Sequence, residues 1–194
     1  MKICLLGDGA VGKTSLIDRF VKNIFSEDYI LTIGTRTSKK EIVVSNPRLN
    51  HDIHLTLMIW DIMGQYSFRK VLHSTFLKGA KGAMIVCDLT RQETLEHLDR
   101  WVDTLFVEGQ VMPFIVIANK NDLKGEHEFS VSDVNKIATA YMTTTLSTSA
   151  KTGENVENAF QLLGEKIIEY MIETNNPILM REVQRPLIQQ APLA

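Results

Sequence analysis

The sequence predicts an α/β fold, a mostly parallel sheet covered by helices on both faces. Three observations carry this reading. The short apolar runs ICLL, GAMIVC and PFIVIA have the length and composition of strands buried on both sides. Amphipathic helical stretches separate them, as the crossovers of a parallel sheet require. TSKKEIVVS and the segment from Ile53 to Ile59 are instead joined by a polar turn, so one early hairpin adds an antiparallel strand. With 194 residues, 44% of them hydrophobic and 23% charged, the chain is large enough for one domain with a sizeable core.

MKICLLGDG opens as a strand and runs into a glycine loop. A helix is expected from Lys13 to Asn23, with Leu16, Ile17, Phe20 and Ile24 at helical spacing. Residues 25–36 are turn-like, and strands follow over 37–45 and 53–59, with NPRLNHD between them. Tyr66 to Lys78 carries a mixed helical pattern, and residues 82–89 form a buried strand. One helix is predicted over 92–108, with Leu95, Leu98, Trp101, Val102 and Leu105 on its inner face. Trp101 is expected to pack in the core rather than anchor a partner. The next strand spans 113–120, and a capped helix begins near Ser130, with Ser132 as a second candidate cap. TTTLSTSAK carries a short strand, and GENVENAFQLLGEKIIEYMIE is a long amphipathic helix. After Glu173 come Pro177, Pro186 and Pro192 with no sustained helical face. The domain is therefore expected over 1–173, and residues 174–194 as a flexible tail outside the fold.

Composition excludes several functions. Lys plus Arg number 21 against 23 Asp plus Glu, a net charge of -2, and no basic stripe appears, so nucleic acid is not an expected partner. Cys4 and Cys87 lie in apolar runs, which fits free thiols in a reducing, cytoplasmic setting. The start MKICLLGDG is too short for a signal peptide, and no apolar run reaches membrane-spanning length. Of the five histidines only His51 and His54 are neighbours, and nothing closes a zinc site.

Gly7 to Thr14, GDGAVGKT, matches G-x-x-x-x-G-K-[ST] between a predicted strand and a predicted helix. Glycines let the backbone wrap phosphate oxygens, and successive amides with the helix N-terminus supply positive potential. Lys13 reaches the β and γ phosphates as a point charge, and Thr14 offers a hydroxyl to Mg²⁺. The motif alone leaves kinases, ATPases and GTPases open. Asn119-Lys120-Asn121-Asp122 follows a buried strand, where ligands sit in such sheets. A carboxylate at Asp122 pairs with the N1-H and exocyclic amine of guanine, a pair adenine lacks. Alone, this tetrapeptide is equally a polar turn. Ser149-Ala150-Lys151 ends the next strand, where its amides can meet the guanine carbonyl.

In this order the three motifs make residues 1–172 resemble a small GTPase of the Ras superfamily, closest in texture to the Rab branch. Trp60 before the strand-end Asp61, Phe68-Arg69 after it, and Leu98-x-x-Trp101 carry the Rab likeness. The resemblance implies a P-loop GTPase domain with a mostly parallel six-stranded sheet. It implies a switch that binds GTP or GDP with Mg²⁺, hydrolyses GTP slowly without an activator, and changes shape near 29–37 and 61–74. Effectors, exchange factors and activators are the implied partners, in signalling or vesicle traffic.

By the same resemblance, Gly7, Asp8, Gly9, Ala10, Val11, Gly12, Lys13, Thr14 and Ser15 cradle the phosphates. Phe25 packs on the base, which Asn119, Lys120, Asp122, Ser149, Ala150 and Lys151 read. Thr32 and Asp61 join Thr14 around the metal, Gly64 offers its amide to the γ-phosphate, and Gln65 orients the attacking water. Lys13, Thr32, Gly64 and Gln65 form the expected catalytic set. A GTP- or GDP-binding scaffold with little turnover is the alternative, whereas a kinase lacks support because no arginine-rich lid appears.

Departures from the family pattern are equally specific. Thr35-Arg36-Thr37 replaces the usual aromatic after Thr-Ile-Gly, the hairpin turn is long, and Ala118 stands where glycine is usual. Ile62, Met63 and Tyr66 stand where threonine, alanine and glutamate are usual, so Met63 is expected to crowd the closed state. QQAPLA carries no prenylation cysteine and Met1-Lys2 no myristoylation signal, so membrane association is expected only peripherally, through a partner protein.

Overall fold

The computed structural model describes residues 1–26, 32, 34–49, 51–64, 76–106, 111–177 and 179. Along them run β1 (Lys2–Leu6), α1 (Lys13–Lys22), β2 (Thr35–Val44) and β3 (Ile53–Ile62), then β4 (Gly82–Asp88), α2 (Gln92–Glu96) and α3 (Leu98–Asp103). They are followed by β5 (Phe114–Asn119), α4 (Val131–Ala140), β6 (Thr144–Ser147) and α5 (Val156–Glu173). The six strands form one sheet in the order β2-β3-β1-β4-β5-β6. β2 runs antiparallel to β3, and every other neighbouring pair is parallel.

Strand alternation divides the core in two. Ile3 and Leu5 of β1, Met84 and Val86 of β4, and Ile115 and Ile117 of β5 pack with Leu16, Phe20, Phe160 and Ile167 of α1 and α5. Cys4, Leu6, Ile85, Cys87 and Val116 point the other way, onto Leu98, Trp101 and Val102 of α3 and Val134 of α4. On the first side Phe20 and Phe160 stack with ring centroids 3.9 Å apart, which fixes α1 against α5. Gly164 lets α5 sit close on β2, since a Cβ there would stand 2.6 Å from Ile42 Cδ1.

The strands appear where the apolar runs placed them, with informative differences at the ends. β2 begins at Thr35 and β3 continues to Ile62, because Thr35 pairs with Ile62 and Arg36 with Asp61. The helix expected over 92–108 is instead two short ones meeting at His97, and α3 stops at Asp103. The break falls where the His97 ring turns to bond a neighbouring loop, described below. The helix expected over Tyr66–Lys78 falls largely outside the described residues, as does most of the expected tail. Within that tail, Leu179 is 2% exposed and belongs to the α1/α5 core.

The cap of α4 is Ser130. Its Oγ accepts the Asp133 amide at 3.2 Å, and Asp133 Oδ2 accepts the Ser130 amide at 3.1 Å. Ser130→Ala is expected to lower unfolding stability by about 1 kcal/mol, read from urea melts. An unchanged midpoint would remove the capping box from the list of stabilising features.

Because β1, β3, β4, β5 and β6 all run the same way, the chain leaves each of them on one side of the sheet. Gly7, Asp61, Asp88, Asn119 and Thr148 therefore gather there, the place where ligands bind in open α/β sheets.

Candidate functional site

The loop between β1 and α1 is shaped by two glycines that nothing else can replace. Gly7 has φ 132°, and a Cβ there would stand 2.2 Å from the Val86 carbonyl oxygen. Gly12 has φ 96°, and a Cβ there would stand 2.3 Å from Asn119 Nδ2. The loop runs straight into α1, whose first turn carries no acid, so its free amides face an incoming anion uncompensated. Lys13 is only 6% exposed, and its Nζ donates to the carbonyls of Gly7 and Asp8, each at 2.6 Å. Burial pushes the Lys13 ammonium down to about 8, against the pull of Asp61 and Asp8.

Three oxygens converge beside it. Thr14 Oγ1 donates to Asp61 Oδ2 at 2.5 Å and lies 3.1 Å from Thr32 Oγ1. Asp61 is 1% exposed, and its Oδ1 is buried without a hydrogen-bond partner among the described residues. Burial raises the Asp61 carboxyl above its ordinary value, with the Thr14 bond and Lys13 opposing. An orphaned carboxylate oxygen among hydroxyls fits a hard divalent cation such as Mg²⁺.

The segment after Asp61 folds onto the phosphate loop. A Cβ at Gly64 would stand 2.3 Å from the Asp8 carbonyl carbon and 2.4 Å from the Gly9 nitrogen. Met63 donates its amide to Gly34 at 3.2 Å. Met63 is half-buried beside Gly64, and its expected crowding concerns the closed state. Gln65, Tyr66, Phe68 and Arg69 lie outside the described residues, as do 29–31, 33 and 65–74 of the two expected switch segments.

At the other end Asn119 fastens three loops. Its Nδ2 donates to the Val11 carbonyl at 2.9 Å, and its Oδ1 accepts Thr148 Oγ1 at 3.0 Å and the Ala150 amide at 3.3 Å. Asp122 Oδ1 accepts the Ser149 hydroxyl at 2.6 Å, which orients the carboxylate. Arg19 of α1 donates to the Ala150 carbonyl at 2.9 Å and to the Lys151 carbonyl at 2.6 Å, so the third motif hangs on the first helix.

One cavity of about 720 Å³ joins these ends, within the range of nucleotide-sized sites. Gly9, Ala10, Gly12, Lys13, Thr14, Ser15, Phe25, Thr32, Asp61, Gly64, Asn119, Lys120, Asp122, Ala150 and Lys151 line it. Gly7, Asp8, Val11 and Ser149 are not in that lining and act from behind it.

Comparison with known proteins gives the family. The family model described as Ras family matches residues 2–169. The chain belongs to the Ras family. Among curated relatives it is 34% identical to Ras-related protein RABA4b of Arabidopsis thaliana over 90% of this chain and 75% of that one. It is 35% identical to Ras-related protein Rab-4A of Danio rerio over 86% of this chain and 76% of that one. It is 32% identical to Ras-related protein Rab-11C of Dictyostelium discoideum over 96% and 80%. It is thus a Rab-like small GTPase of the Ras superfamily, whose general work is that of a GTP-binding and hydrolysing switch with exchange factors, activators and effectors. No helix among the described residues is long and apolar enough to cross a membrane.

The motifs do not show the polar contacts that hold this Ras-family site from behind. Asp8, inside the phosphate loop, turns its carboxylate away from the cavity: Trp101 Nε1 donates to Oδ1 at 2.7 Å, and His97 Nδ1 meets Oδ2 at 2.7 Å. Trp101 is in the core as expected, 1% exposed, but its indole nitrogen has a polar task as well. Arg36 forks onto Asp18 with bonds of 3.0 and 2.7 Å, tying the start of β2 to α1. The sequence held one signal beyond the motifs: Asp88 ends a buried strand, and Asp61 lies one residue from the end of another.

Proposed function

We propose that the chain binds GTP and GDP with Mg²⁺ and converts GTP to GDP and phosphate, slowly unless an activator adds charge. The observation that supports this reading is one cavity lined by Asp122 together with Lys13, Thr14, Thr32 and Asp61. Lys13 releases its two loop carbonyls to reach the β and γ phosphates, and the α1 amides take the remaining anionic oxygens. Thr14, Thr32 and Asp61 would hold Mg²⁺, which supplies charge neutralisation to the phosphates. Gly64 offers its amide to the γ-phosphate, and Gln65, next in the chain, orients the attacking water. Phosphoryl transfer asks chiefly for this placement and charge, not for a strong base. Segments 29–37 and 61–74 respond to the γ-phosphate and present the result to effectors. The protein works in the cytoplasm and associates peripherally with membranes through a partner protein.

The test is base preference. Asp122→Asn is expected to weaken GDP by roughly ten- to a hundredfold, since a buried guanine donor loses its acceptor at about 1–3 kcal/mol, and to favour XDP instead. Calorimetry with GDP, XDP and ADP reads this directly. Equal affinity of the unaltered protein for GDP and ADP would defeat the guanine reading.

A further inference from the structure

Asp88 belongs to none of the three motifs, yet it is the most connected carboxylate in the site. It ends β4 at 0% exposure. Its Oδ2 meets Lys120 Nζ at 2.6 Å and Arg91 Nε at 3.0 Å, while its Oδ1 accepts the Thr90 amide at 3.0 Å and hydroxyl at 2.7 Å. Burial alone would raise the carboxyl, but the Lys120 and Thr90 hydrogen bonds hold it below the ordinary carboxylate value. Asp88 is thus a buried anion with two cationic partners.

Arg91 carries that charge onward. While Nε faces Asp88, Nη2 donates to the Gly9 carbonyl at 2.7 Å and Nη1 pairs with Glu93 at 3.2 Å. A planar guanidinium makes such bonds from one rigid fork, which an ammonium cannot. Lys120 of the base-reading loop and Gly9 of the phosphate loop therefore meet on one carboxylate, through Arg91. Gly9 is also where the second switch lands, since a Cβ at Gly64 would stand 2.4 Å from the Gly9 nitrogen.

We propose that Arg91 is a positioning residue for nucleotide: through Asp88 it holds the phosphate loop at Gly9 in step with the base-reading loop at Lys120. The inference rests on the guanine-nucleotide reading above. A general loss of stability would speed release of every nucleotide alike. Loss of this strut shifts Gly9, against which Gly64 packs, and so is felt more by GTP than by GDP. It also makes Lys120 and Arg91 depend on each other although one serves the base and the other the phosphates.

Stopped-flow release of fluorescent GDP and GTP tests this with Mg²⁺ present, on the full chain and on Arg91→Ala, Lys120→Ala and the double variant. Arg91→Ala is expected to speed GTP release by roughly tenfold or more, the size of one charged hydrogen bond, and GDP release by less. The double variant should fall short of the product of the single effects by roughly threefold or more. Arg91→Lys, which keeps the charge but not the fork, should restore only part of the GTP retention. If Arg91→Ala does not fold, Arg91→Lys and Arg91→Gln carry the same comparison. If the unaltered protein retains neither GDP nor GTP, the guanine reading fails and the inference falls with it. If it retains both, and the arginine variants release the two at unchanged or equally raised rates with multiplicative effects, Arg91 has no positioning role while the guanine reading stands.

Discussion

Lys13→Ala weakens GDP binding by two orders of magnitude or more and leaves the fold intact: that is the expected result. The ammonium sits at 6% exposure and bonds two carbonyls of the loop proposed to hold the phosphates, so the cation is fixed within that loop. Removing it takes away a buried, hydrogen-bonded charge partner, a loss of about 2–5 kcal/mol when phosphate is bound. The carbonyls of Gly7 and Asp8 lose their donor as well, so part of the loss appears before nucleotide arrives. Calorimetric affinities for GDP and for guanosine separate the two contributions. Because guanosine has no phosphate, its weak binding should change far less. A parallel drop for both ligands would mean that Lys13 supports the loop and does not hold phosphate.

Gly64→Ala is expected to slow GTP hydrolysis by roughly ten- to a hundredfold, with GDP binding nearly unchanged. The reason is space: the added carbon would overlap the Asp8 carbonyl and the Gly9 amide at distances near 2.3 Å, and both are backbone. Backbone cannot rotate out of the way as a side chain can, so the second switch must retreat at a cost of about 1–3 kcal/mol. On the proposed mechanism, the Gly64 amide then offers less to the γ-phosphate. Single-turnover phosphate release reads the effect. Met63→Ala is the natural companion: crowding by the methionine predicts a faster rate, and an unchanged rate would remove that crowding as a limit.

Where the sequence was informative, the information was local. Short, continuous apolar runs place β1, β4 and β5, and Gly7 to Thr14 carries its own strand-loop-helix context. The Ser130 cap was readable because capping chemistry lies within four residues. What stayed hidden depends on residues far apart in the chain. Asp8 and Trp101 are 93 positions apart, Gly9 and Arg91 82, and each side chain reads plausibly as loop or helix filler until the sheet brings them together. The split of the 92–108 helix is hidden for the same reason, since a helical pattern does not say that the His97 ring will be drawn to a loop. The close approach of Gly64 to the Asp8 and Gly9 backbone stayed hidden in the same way, because it depends on a loop that the sequence does not place.

The chain has two tryptophans, and they sit in very different surroundings. Trp60 is half-buried with the Lys2 ammonium 4.0 Å from its ring. Trp101 is enclosed, and its indole N–H ends on the carboxylate of Asp8, inside the loop that wraps the phosphates. A negative charge at the pyrrole end of an indole shifts its emission, so the colour of Trp101 follows the position of that carboxylate. The protein thus carries a built-in optical gauge of its phosphate loop, and exchanging Trp60 for phenylalanine leaves that gauge as the sole indole signal.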